Sequence, residues 1–261
     1  MPVRQIFAII TVCLFYCIGC TTPPPKTPIW ENVKFKDLAR TKHSPQSALE
    51  SPLQFNMYIF SVPPFNFSSL KDVWSNLSTT PILFTSRESF GENGFVAGVG
   101  KIAQWEPIAE KLRAADGKNL KTTDFVIFSG NQEYVSLLKL EAEKNIFYRT
   151  QDNQINGATL GQGETMLRLT AVTPPDVRGV CKLTIEPMFK RTAKSQTAAA
   201  DANDLVFTAS TFSVRMSPGD FVLLGPASFS PRDMTLGSIF FWSPGISAVQ
   251  LYMIVCAGVS N

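Results

Sequence analysis

Histidine is almost missing from this chain: His43 is the single one in 261 residues, and it lies in a polar Pro/Ser stretch. That argues against a Ser-His-Asp triad, a His-rich metal site or a two-histidine zinc helix. Charge is also sparse, at 17% of residues against roughly 25% in ordinary soluble domains. The net charge of +3 is scattered, with no dense Lys/Arg stripe, so the footprint of a nucleic-acid binder is lacking. Asp and Glu are dispersed and no Gly-x-Ser-x-Gly occurs. Neither a carboxylate pair nor an activated nucleophile is therefore apparent. These absences predict a protein that is not an enzyme and carries no cofactor, metal or nucleic acid, and they point to no small-molecule substrate. What is present is core material: 44% hydrophobic residues and twenty phenylalanines, which suit strands and packed interiors.

The N-terminus carries the sharpest signal. Arg4 is followed by an apolar run from Ile6 to Ile18, about thirteen residues interrupted only by Thr11. This length suits the hydrophobic region of an export signal and is short of the roughly 20 residues that span a bilayer. The run ends in Cys17-Ile18-Gly19-Cys20, which resembles the bacterial lipobox, with Cys17 where that motif usually has leucine. The resemblance implies cleavage before Cys20, acylation of its thiol and, with Thr21 following, an outer-membrane lipoprotein facing the periplasm or the exterior. An ordinary secretory signal and an uncleaved anchor are the alternatives. Residues 21–28, Thr-Thr-Pro-Pro-Pro-Lys-Thr-Pro, cannot form helix or central strand and predict an extended spacer. Residues 29–52 are mixed and polar, an expected surface segment.

Of five cysteines, Cys13 and Cys17 leave with the signal and Cys20 carries lipid. Cys181 and Cys256 remain, each centred in an apolar, strand-like run. In an oxidising envelope two leftover thiols can pair as a disulfide; otherwise they are two separate small hydrophobes in the core.

Beyond residue 52 the pattern is mostly that of strands. Period-two or continuous apolar runs predict strands at 53–62, 122–128, 134–140, 145–149, 165–172, 180–189, 205–216, 220–224 and 249–259. Asn156-Gly157, Pro174-Pro175, Pro218-Gly219-Asp220 and Pro244-Gly245 read as the joints between them. Helical spacing predicts two helices. One starts at a Ser68 cap with Leu70, Val73, Trp74 and Leu77 on one face. The other spans 102–115, with Trp105, Ile108, Ala109, Leu112 and Ala115 on one face and Gly117 as its stop. Gly94, Gly98 and Gly100 have the wrong spacing for a phosphate loop and predict a bent or bulged strand. Residues 190–204 read as a long exposed loop. The expected architecture is α+β, mainly an antiparallel β sheet with two short helices packed on one side. Residues 51–152 form an α+β half and 153–261 a β-rich half, two halves that also read as one domain.

The order of these elements resembles the C-terminal domain of bacterial secretins, the outer-membrane ring proteins of secretion and pilus systems. The residues that carry the likeness are Phe55 to Val62, the helix around Ile108–Leu112 and the pair Leu167-Arg-Leu-Thr and Leu183-Thr-Ile-Glu-Pro. Further along they are Phe212 to Gly225, Leu236-Gly-Ser-Ile-Phe-Phe and Leu251-Tyr-Met-Ile-Val. Pro226 stands where the family has a second glycine. The resemblance implies a secretin-related module that assembles with itself or with other envelope proteins. A ring-forming channel component is the alternative, and its candidate pore strands are 205–216 and 249–259. An envelope hydrolase would have to draw on Phe128-Ser129-Gly130-Asn131 or Glu164.

Overall fold

The computed structural model describes residues 52–175, 177–192, 204–230 and 232–259. Two six-stranded sheets and a hairpin make up the strand content, and every ladder is antiparallel. The first sheet runs in the order β3 (Phe95–Lys101), β12 (Asp220–Pro226), β14 (Ala248–Val259), β1 (Pro52–Val62) and β4 (Lys118–Phe128), with β13 (Trp242–Ser243) also on β14. The second runs β2 (Ile82–Phe84), β11 (Phe212–Met216), β9 (Cys181–Arg191), β8 (Gly163–Val172) and β5 (Gln132–Leu140), with β10 (Leu205–Val206) on β9. β6 (Lys144–Arg149) and β7 (Ile155–Leu160) form the separate hairpin. Each sheet draws strands from both halves of the chain.

The sequence dictates three layers through its side-chain period. Along β1, Leu53, Phe55, Met57 and Ile59 enter one core, while Tyr58, Phe60 and Val62 enter a second. β14 divides the same way: Tyr252, Ile254 and Cys256 face the first core, and Leu251, Met253 and Val255 the second. Successive strand residues point to opposite faces, so a continuous apolar run marks a sheet covered on both sides. The first core lies between the sheets, because Leu167, Leu169, Leu183 and Ile185 of the second sheet share it. Helices fill the second core: α1 (Lys71–Trp74), led in by a 3-10 turn at Pro64–Leu70, and α3 (Trp105–Ala114). The expected mainly antiparallel architecture with few short helices is what is found, divided into two sheets rather than one, with α1 and α3 on one side.

Several expectations are corrected. The first helix has no serine cap; its lead-in starts behind Pro63 with Pro64 in the first turn, and no side chain caps it. The second ends at Ala114, and the left-handed residue behind it is Asp116, with φ 54, rather than Gly117, whose N–H donates to the Leu112 carbonyl at 2.7 Å. Asn156-Gly157 is no joint but lies inside β7, where Gly157 leaves room for the Phe147 ring opposite. The turn comes earlier, at 150–154. β3 is regular rather than bulged, in unbroken register with β12. Its glycines serve close packing: a Cβ on Gly100 would stand 2.5 Å from the Phe221 ring, and one on Gly98 2.6 Å from Leu77. The run 205–216 is broken by a 3-10 turn at Thr208–Ser210. Two further helices, α2 (Arg87–Glu92) and α4 (Leu236–Phe241), insert Phe90, Leu236, Ile239, Phe240 and Phe241 into the core between the sheets. At six residues each they are too short to show a helical period.

Candidate functional site

One edge of the first sheet is open. Among the described residues β4 pairs only with β1. Its first half carries Lys118, Lys121 and Asp124, the charges that usually keep an edge from recruiting another strand. Its second half, Phe125-Val126-Ile127-Phe128, has none. Ile127 and Phe125 turn inward, and Phe125 stacks on Phe55 at 5.7 Å between ring centres. Val126 and Phe128 turn outward and are 45% and 43% exposed. A turn at Gly130, with φ 89, then carries the chain into β5, the edge of the second sheet, where Tyr134 is also exposed. Val135 and Leu137 close the core only partly here. The sandwich therefore ends on this side in two neighbouring edge strands with apolar side chains outward. The signal was present in the sequence, because 122–128 stops alternating and turns apolar.

A cleft of about 440 Å³ lies between the β5–β6 connection and the segment after α4, lined by Leu138, Lys139, Glu141, Lys144, Ile239 and Trp242. Its charged groups are two lysines and one carboxylate, and its hydroxyls are Ser243 and Thr165, the latter donating to the Leu138 carbonyl at 3.3 Å. Among the described residues no group of three or more His, Cys, Asp or Glu side chains is placed to hold a metal. The other candidates for chemistry have structural partners. Ser129 accepts from the Thr173 N–H at 3.1 Å, and Ser136 donates to Glu164 at 2.7 Å.

Cys20, the lipid-anchor candidate, and His43, the tether and most of the loop 190–204 lie outside the described residues. Cys181 and Cys256 are brought together. They sit on the central strands of opposite sheets, fully buried, with their sulfurs 4.0 Å apart and both thiols free. The shared hydrogen bond, and then burial, push the Cys256 thiol up, while the same bond lowers that of Cys181.

No family model and no curated protein matches the chain. Among solved structures it is similar to the secretin-domain β-barrel of InvG from the Salmonella injectisome, at 10% identity and a TM-score of 0.25, over 82% of this chain and 64% of that one. The competence pilus secretin PilQ of V. cholerae matches at 11% identity and a TM-score of 0.15, over 78% and 54%. The chain spans less than two thirds of the secretin chains it matches. Scores this low carry no argument for a shared topology, so the architecture rests on the strands and register described above.

Proposed function

We propose that this chain is an exported, lipid-anchored envelope protein whose β sandwich is a protein-interaction module. The observation that carries the interaction reading is the uncharged end of β4, with Val126 and Phe128 outward on an edge that has no strand partner among the described residues. Such an edge supplies main-chain donors and acceptors for an added strand, and alternate side chains give selectivity. The export reading is supported by Arg4, the short apolar run and Cys17-Ile18-Gly19-Cys20. The partner is a second copy or another envelope protein, and the secretin-like order of the sequence motifs makes rings worth testing. The cleft argues less well for an enzyme, since no ion pair or side-chain hydrogen bond among the described residues links its lysines, Glu141 and Ser243 into an activated group.

The test is the native mass of the protein extracted from its own membranes in mild detergent, beside a Val126→Lys/Phe128→Lys variant. The expected result is a discrete complex that the variant loses while keeping its melting temperature within a few degrees. A monomer with no cross-linked neighbour overturns the interaction reading, and a multimer of about a dozen copies converts it to a ring. Cys20→Ala should release the protein from the membrane fraction; unchanged partitioning overturns the anchor.

A further inference from the structure

Cys181 and Cys256 are 75 residues apart in sequence and lie on different sheets. Stacked sheets stand roughly 10 Å apart, too far for a bridge whose Cα atoms must approach within about 7 Å. At this point the sheets are drawn together. β11 leaves the second sheet at Met216, the residue paired with Cys181. The chain enters β12 of the first sheet at Asp220, with only Ser217, Pro218 and Gly219 between. Pro218 and Gly219, with φ 89, close a tight turn through the Asp220 N–H to the Ser217 carbonyl at 2.9 Å. The Gly219 N–H also donates to the Cys256 carbonyl at 2.8 Å. One turn therefore holds the two cysteine-bearing strands together at their common end. The β1–β14 register also shifts beside Cys256, between Gln54 and Phe55, and such a bulge re-aims the neighbouring side chain.

We infer that Cys181 and Cys256 form an inter-sheet disulfide in the mature protein, a covalent clasp at the end of the sandwich where the chain crosses between sheets. The sulfurs need to close by about 2 Å to reach bonding distance, which side-chain rotation within the pinched end supplies. The oxidant is a donor disulfide, R–S–S–R′, of an envelope thiol oxidase. One of the two cysteine thiolates attacks one donor sulfur and expels R′–S⁻, giving a mixed disulfide. The other thiolate then attacks the chain's own sulfur of that mixed disulfide and expels R–S⁻. The chain gives up two electrons and two protons, and the donor leaves as R–SH and R′–SH. Because both thiols end fully buried, exchange happens before the sheets close over them.

This inference rests on the export reading above, since cytosolic thiols stay reduced, and its test separates the two. Cells are fractionated, and the full chain from the envelope is denatured in alkylating reagent without reductant. Intact mass should be lower than the fully reduced chain by about 2 Da, with neither Cys181 nor Cys256 alkylated until reductant is added. Two alkylated thiols in the envelope fraction overturn the bridge. A chain found only in the cytosol overturns the export reading instead. The bridge is then decided by refolding the purified chain in oxidised and reduced glutathione, where Cys181 and Cys256 both free at equilibrium, by peptide mapping of the alkylated chain, would end it. Reduction should lower the melting temperature of the wild type by roughly 10 °C and leave a Cys181→Ala/Cys256→Ala variant unmoved.

Discussion

The two sheets use the same strand chemistry to opposite ends. The central strand of the first, β14, buries consecutive residues: Leu251 and Met253 under the helices, Tyr252 and Ile254 against the second sheet. The central strand of the second, β9, alternates. Cys181, Leu183 and Ile185 are buried, while Lys182, Thr184 and Glu186 lie on a half-exposed outer face. One sheet is a middle layer and the other an outer wall. A charge is prohibitive on either face of β14 and routine on one face of β9.

The largest effect should come from breaking that difference. Met253→Asp places an unpaired charge under α3 and should cost about 4 kcal/mol or more, a large share of the stability of an ordinary domain. Thr184→Asp, on the outer face of β9, should stay within about 0.5 kcal/mol. Urea unfolding of the two variants measures the contrast, and equal losses would contradict the layering.

A smaller effect sharpens it. Tyr252 donates to the Phe240 carbonyl at 2.6 Å from a fully buried position, and burial raises its pKa well above the ordinary value. An unfolded tyrosine ionises near pH ~10. The folded state thus keeps a proton that the unfolded state loses, so this contribution is intact below pH ~10 and declines above it. Tyr252→Phe should cost about 1 kcal/mol at neutral pH and flatten the alkaline loss of stability. Some slope remains from Tyr58, whose pKa burial also raises. Unfolding midpoints at pH ~8 and ~11 read both quantities.

The smallest effect belongs to the outer wall. Arg168 and Glu186 pair at 2.8 Å across β8 and β9 on its half-exposed face. Arg168→Ala should cost no more than about 1 kcal/mol, with a double-mutant cycle against Glu186→Ala as the measurement. A loss comparable to that of Met253→Asp would mean that this face is covered in the working protein.

Much of the strand content was legible because long runs keep their period: β1, β8, β9, β12 and β14 lie within a few residues of where the pattern places them. The interruptions were not. The break at Thr208–Ser210 falls inside an apolar run, and Asn156-Gly157 has turn chemistry that its pairing with Phe147 and Tyr148 overrides. Buried polar contacts were invisible for a different reason. Asn93 donates to Ser210 Oγ and to the Arg149 carbonyl, 117 and 56 residues away, and no local pattern records such a partner.

By itself the sequence determined which residues must leave water. Alternation and continuous runs fixed strands with one or two buried faces, and the twenty phenylalanines ensured a core. The proposed export signal, Arg4 with the short apolar run to Cys20, is likewise read from neighbouring residues alone. Only the tertiary structure decided which strands stand at edges, because an edge is the absence of a neighbour and no residue encodes that alone. The same holds for the cysteines. Each reads as a small apolar residue in its own strand, and they became a pair only when a three-residue crossing between sheets brought their strands together.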